Sequence, residues 1–220
     1  VNIPFTAEQF FNVFAQYNNA IWPMQFILNL LGLAALLFAI WKAKYTDRIV
    51  SAILAFLWLW TGIVYHITFF SSINKPAYVF GSLVILQGIL FFATGTIYQK
   101  ISFKPQVNSY SVVGGALLLY GLLIYPILGY FLGHIYPYSP TFGAPCPTTI
   151  FTFGLLLWTD GKFPKYLLVI PLIWSLIGFS AAFQWGVMED IMLLISALVA
   201  AVMIFYRSKV EKQLTPSFLA

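Results

Sequence analysis

The chain has one cysteine, two histidines and charge on only 8% of its residues. A single Cys146 excludes an internal disulfide. Two histidines are too few for a three-histidine zinc hydrolase. No long hydrophilic stretch interrupts the sequence, so no separate soluble domain is expected, and residues 1–220 read as a single transmembrane unit. A phosphate-binding glycine loop, an H-E-x-x-H pair and a Gly-x-Ser-x-Gly nucleophile elbow are all missing. The last apolar run holds no lysine, which excludes a retinal Schiff base there. The basic residues sit at the ends of apolar runs, which excludes a voltage-sensor stripe. No n-region, h-region and cleavage-site pattern precedes the first run, so no removable signal peptide is expected.

What is present is apolar. Hydrophobic residues make up 61% of the chain and the mean hydropathy is +0.89. A soluble domain cannot hide that much apolar surface, so the bilayer is the expected solvent. Residues 20–41, 49–71, 79–98, 110–133, 166–185 and 190–207 each meet the roughly 20-residue requirement for a spanning helix. A seventh run, 147–159, is apolar but short. Lys42, Lys44, Arg48, Lys100, Lys104, Lys162, Lys165, Arg207, Lys209 and Lys212 all fall at one side of this ladder, and only Lys75 at the other. Basic loops stay in the cytoplasm. The expectation is therefore an all-α, polytopic seven-transmembrane-helix bundle over 20–207, N-outside and C-inside, with a cytoplasmic tail at 208–220. A six-span count would leave five basic residues on the wrong side. Trp22, Trp185, Trp41 and Trp158 fit an aromatic belt at the two interfaces. The net charge of +5 is then topology and attraction to anionic lipid, not a nucleic-acid signal.

Residues 5–19 predict an N-terminal amphipathic interfacial helix. Thr6 and Gln9 form a capping box, and Phe10, Phe11, Phe14 and Tyr17 share one side. The alternative is a lid over an outward-facing cavity, with Glu8 pointing inward. Gly81, Gly88 and Gly95 mark a close-packing face on the third span, and Pro126 should kink the fourth. Trp58-x3-Gly62-x3-His66 and Trp174-x3-Gly178-x3-Ala182 suggest a 3+1+3 parallel repeat. SWEET-type sugar facilitators and PnuC-type vitamin-precursor transporters use that arrangement, and here the resemblance is one of architecture only.

Polar residues in hydrocarbon need a partner or a job. The candidates for substrate binding are Gln25, Asn29, Tyr65, His66, Cys146, Thr148, Thr149 and Gln184. Gln87 and Thr94 read as helix glue. The stretch from Gly133 to Thr149 holds four prolines and several aromatics, and thirteen residues of helix rise only roughly 20 Å. The loop before the short span should therefore dip inward, its free Thr148 and Thr149 amides offering a half-helix start to an anion. Cys146 beside it reads as a packing residue, a soft-metal ligand or a reactive thiol. Cys146, His66 and His134 are the metal candidates, and the cofactor is unknown.

The stretches Pro4 to Phe11, Tyr17-Asn18 with Trp22-Pro23, Trp58 to Gly62 with Tyr65-His66, Pro145 to Thr152, and Leu172 to Gly178 with Glu189-Asp190 together resemble a bacterial membrane family, a domain of unknown function (6064), whose members are at times labelled permeases. The resemblance covers the whole chain. It implies the bacterial cytoplasmic (inner) membrane and carries no assigned activity or site. The leading expectation is a small-solute transporter or facilitator, for an anionic or metal-like solute. The alternatives are a membrane-embedded enzyme or redox protein using Cys146 with a histidine or carboxylate, and a structural or sensory partner of another membrane protein. The bilayer is the expected partner, nucleic acid is not, and a homo-oligomer stays open.

Overall fold

The computed structural model describes residues 5–160 and 164–214, leaving out the side chains of 181, 182 and 211–214. Lys162 of the basic set, and the side chains of Lys212 and of Ala182 in the repeat, therefore lie outside what is described. Among these residues the chain is all helical, with isolated bridges at Phe103–Thr159 and Phe142–Ala144 in place of strands.

The order is α1 (Ala7–Ala20), α2 (Met24–Trp41), α3 (Thr46–Trp60), α4 (Ala77–Phe91), α5 (Ser109–Leu119), α6 (Tyr125–Phe131), α7 (Pro145–Leu157), α8 (Val169–Trp185) and α9 (Ile191–Leu214). Three π-helical segments continue these: Thr61–Phe69 after α3, Phe92–Ile97 after α4, and Tyr120–Ile124 joining α5 to α6. Six continuous helices are long and apolar enough to cross a membrane: Met24–Trp41, Thr46–Ser72, Ala77–Ile97, Ser109–Phe131, Lys165–Trp185 and Met188–Val210. The chain is thus an integral membrane protein by length and composition. Helix α9 runs on to Leu214, so the segment after Arg207 begins as helix.

The seventh run is the core of the bundle. All thirteen residues of α7 are buried, and α5, α9 and the Tyr120–Ile124 segment wrap it. A short apolar helix that touches no lipid need not match bilayer thickness. Glycines set its closest contact. A Cβ on Gly154 would lie 2.7 Å from the Gly114 carbonyl oxygen, and one on Gly114 would lie 2.8 Å from the Gly154 carbonyl oxygen. Only two backbones without side chains approach so closely. Trp158 is buried against α5, donating its Nε1–H to the Ser111 carbonyl at 2.9 Å.

The Gly81–Gly88–Gly95 face turns inward. A Cβ on Gly81 would sit 3.1 Å from the Gly62 carbonyl oxygen, one on Gly88 2.9 Å from that of Ala55, and one on Gly95 would overlap Ser51. The stripe is consumed by packing of α4 on α3, so it offers nothing to a partner protein. Arg207, beyond the apolar part of α9, closes the basic end by donating Nη1–H to the Thr159 carbonyl at 2.7 Å.

At the opposite end lies α1. Its capping box forms as the sequence predicts: Gln9 N–H donates to Thr6 Oγ1 at 3.2 Å and Thr6 N–H to Gln9 Oε1 at 2.9 Å. Its apolar side rests on the bundle. Phe14 stacks on Tyr65 at 5.4 Å, Tyr17 meets Tyr65 and Phe69 edge-on, and Phe10 packs on Phe70. The helix lies across this end of the bundle with its polar residues Gln16 and Asn19 exposed. Glu8 is exposed too, against the expectation that it points inward, because the inward positions are filled by Phe10, Val13, Phe14 and Tyr17.

Candidate functional site

Beneath α1 the last residues of the loop 132–144 are folded into the bundle, as the short α7 requires, while Ile135, Tyr136 and Tyr138 stay exposed. Phe142, Gly143 and Ala144 are buried, and the Gly143 carbonyl accepts from Thr61 Oγ1 at 3.0 Å and Tyr17 Oη at 3.3 Å. Irregular backbone at such depth survives only when protein satisfies it. Burial pushes the Tyr17 phenol above its ordinary range, against the N–H that Trp60 donates to its oxygen at 2.9 Å.

The start of α7 corrects one expectation. The helix begins at Pro145, two residues earlier than the sequence suggested, and Thr148 N–H is already bonded to the Ala144 carbonyl at 3.3 Å. Thr149 lies inside the helix, its hydroxyl bonded back to the Pro145 carbonyl at 2.7 Å. Pro145 and Pro147 have no N–H to offer. A buried helix start is tolerable here because prolines remove donors that would otherwise be orphaned. The anion cradle at Thr148 and Thr149 is therefore not formed.

The polar candidates divide into two places. Gln25 and Asn29 line a lateral groove of about 260 Å³ with Trp22, Phe26, Pro126 and Tyr136. Gln25 donates to the Asn18 carbonyl at 2.6 Å, and Asn29 to the Gln25 carbonyl at 2.8 Å. Gln184 is exposed at the end of α8 and, among the described residues, hydrogen-bonds to neither group.

The second place is deeper. His66 has no exposed surface and sits in the π segment Thr61–Phe69. Its Nδ1 lies 3.0 Å from the Thr61 carbonyl oxygen. A carbonyl only accepts, so Nδ1 carries the hydrogen and Nε2 presents a lone pair, with no partner. The ring meets Trp174 edge-on at 4.7 Å. The Trp174 indole N–H, also lacking a well-aligned partner, lies near the Cys146 thiol. Cys146 is in weak hydrogen-bond contact with the Asp190 carboxyl. Tyr125, just past the π segment Tyr120–Ile124, donates its O–H to Asp190 Oδ1 at 2.6 Å, and Tyr120 donates to the Glu189 carbonyl at 2.8 Å. Glu189 Oε1 is 2.8 Å from His134 Nδ1, and its Oε2 has no partner. Tyr65 packs on His66 edge-on at 5.3 Å. Two of the three π segments supply this cluster, and π geometry gathers at functional sites.

Among the described residues no group of three or more His, Cys, Asp or Glu is placed to hold a metal ion. His134, a metal candidate from the sequence, is instead paired with Glu189 and stacked on Phe11 at 5.0 Å. Trp174, Tyr120, Tyr125 and Asp190 were not singled out as site residues. The readable signal for Asp190 was two adjacent acids heading an apolar run with no basic neighbour.

The model of a family described as "Family of unknown function (DUF6064)" matches residues 7–215. The chain belongs to that family. The match takes in α1 and every residue of the buried cluster, so the family's shared sequence covers both alike. No curated protein and no solved structure matches the chain.

Proposed function

We propose that this DUF6064 member carries a small polar solute across a membrane, binding it beneath α1 at the His66–Trp174–Cys146–Glu189 cluster. One observation carries the reading. His66 Nε2 and Glu189 Oε2 are buried polar atoms without hydrogen-bond partners, and the buried Trp174 N–H has only the Cys146 thiol beside it. Buried polar groups are normally satisfied, and an unpaired one costs about 1–3 kcal/mol. Such groups in one connected cluster fit a site whose ligand supplies the missing bonds. Together they present acceptors (His66 Nε2, Glu189 Oε2) and a donor (Trp174 Nε1–H), which suits a small solute with both N–H or O–H groups and an oxygen.

The reading includes seven passes with the N-terminus outside. The chain's connections support this by alternating between the α1 end and the basic end if α7 counts as a pass. Lys104 N–H donates to the Trp158 carbonyl at 2.6 Å, which ties the far end of α7 to the basic end. The 3+1+3 repeat finds support in Gly62 meeting α4 and Gly178 meeting α9, each the helix that follows.

The test is thermal stability of the purified protein against panels of small neutral solutes, anions and metals. A ligand of the folded state at 100 times its dissociation constant adds about 2.7 kcal/mol. Stabilisation lost in His66→Leu supports the carrier site, and a full panel without effect counts against it. The contact between Cys146 and Asp190 favours a second reading, a thiol enzyme with the carboxylate as base. Binding that persists in Cys146→Ser while any turnover disappears would select it.

A further inference from the structure

We propose that Glu189 and Asp190 form a proton-binding site inside the helix bundle, with the exchangeable proton on Asp190. The two carboxyls are consecutive, and they are 0% and 3% exposed at the head of α9. Among the described residues no lysine or arginine pairs with either of them. Ion pairs among the described residues include Lys42–Asp47 at the opposite end and His134–Glu189. The groups facing the site from each packed element are His134 from the loop after α6, Tyr120 and Tyr125 from the α5–α6 helix, Cys146 from α7, and Tyr65 from the π segment of α3. His134 is the only one of these that can carry positive charge.

The charge balance decides where the proton sits. With both carboxyls ionised and His134 protonated, the buried cluster keeps one uncompensated negative charge. Burying such a charge is far costlier than taking up a proton. Glu189 has in His134 a partner able to carry positive charge, whereas the neighbours of Asp190 are a phenol and a thiol, so the proton is assigned to Asp190. Glu189 also has room made for it: a Cβ on Gly129 would sit 3.1 Å from its Oε1. Its Oε2 is fully buried and unpartnered, which leaves an acceptor beside Asp190 for a proton in passage. From Glu189 the route to water runs through His134, whose side chain is 15% exposed and lies under Phe11 of α1. Opening α1 uncovers that histidine. The balance is simple: Asp190 carboxyl to carboxylate, with one proton released to the α1 side.

This inference deepens the carrier reading, for which it supplies a coupling ion, but its test does not depend on a solute. Infrared spectroscopy of the purified protein in lipid discs reads the C=O stretch of a protonated carboxyl, and carbonyl-13C aspartate labels three residues, Asp47, Asp160 and Asp190. Asp47 is ion-paired and Asp160 is exposed, so only Asp190 is buried. At neutral pH one protonated-carboxyl band is expected. It shifts with labelled aspartate, does not shift with labelled glutamate, and vanishes in Asp190→Asn. In Glu189→Gln the band persists, because the proton is on Asp190. Absence of an aspartate-sensitive band at neutral pH overturns the proposal without any variant having to fold. A band present with no stabilising solute in any panel leaves the proton site standing and overturns the carrier reading alone. A stabilising solute with no band does the reverse.

Discussion

Asn18 uses every hydrogen-bonding group of its side chain. Nδ2 donates to the carbonyls of Pro137 and Ser139 at 2.7 and 2.8 Å, and Oδ1 accepts from Thr141 Oγ1 at 2.8 Å. The residue has no exposed surface, and replacing it leaves three partly buried groups without their partner. Asn18→Leu is expected to cost about 1–3 kcal/mol in all, because partly exposed groups recover some bonding to water. Denaturant unfolding in detergent measures this, and a loss below about 1 kcal/mol would show that the loop re-pairs elsewhere. At this scale the sequence exposed the right residue types but not their distances. His66 and Cys146 stood out because ionisable and nucleophilic groups are rare in hydrocarbon. That they meet through Trp174 depends on how α3, α7 and α8 pack, which periodicity does not encode. Gln25 and Asn29 looked like companions of His66 and instead belong to a groove on another face. Asp190 heads the last apolar run, and charge rules place acids too loosely to mark it as buried.

Adjacent glycines on α5 give a contrast at the scale of elements. A Cβ on Gly114 would collide with the Gly154 carbonyl and the Trp158 ring, whereas one on Gly115 would meet only Trp158 Cζ2 at 3.5 Å, an ordinary contact. Gly114→Ala should therefore push α5 away from α7 and cost about 1–3 kcal/mol, as overpacking does. Gly115→Ala should be neutral or slightly stabilising through helix propensity. Thermal unfolding of the pair of variants decides it, and equal effects would mean that the α5–α7 contact yields. Helix α1 makes a gentler case. Thr6→Ala removes one side of the capping box and should cost about 1 kcal/mol of helix. The readout is faster amide hydrogen exchange confined to α1, with exchange in α7 unchanged. Helix existence, the capping box and the inward dip before α7 were legible, because they follow from hydropathy, side-chain chemistry and rise per residue. The start of α7 at Pro145 was misplaced by two residues, since either proline suits a first turn. The π segments carry no local sign that sets them apart from α-helix.

For the whole molecule the open quantity is the number of crossings, and it turns on one helix. Six helices are long enough to span by themselves, while α7 is short and wholly buried. Length alone would let α7 end inside the bundle, but its contacts join both ends. Its first residues follow a loop bonded to α1, and Trp158 just past its last residue is bonded to Ser111 and Lys104 at the basic end. Asp160 is exposed there and is the residue whose side of the membrane separates seven passes from six. In a Cys146→Ser background, Tyr138→Cys and Lys75→Cys should react with a membrane-impermeant maleimide on intact cells. Lys100→Cys and Asp160→Cys should react only after permeabilisation. Cys146 is itself buried, so its replacement removes background without changing an accessible surface. If Asp160→Cys labels together with Tyr138→Cys, α7 does not cross, and the basic residues after it change sides. The charge asymmetry that oriented the chain would then be lost. If it labels together with Lys100→Cys, thirteen buried residues complete a crossing that no lipid touches, and the loop before them reaches the buried cluster from the outer side.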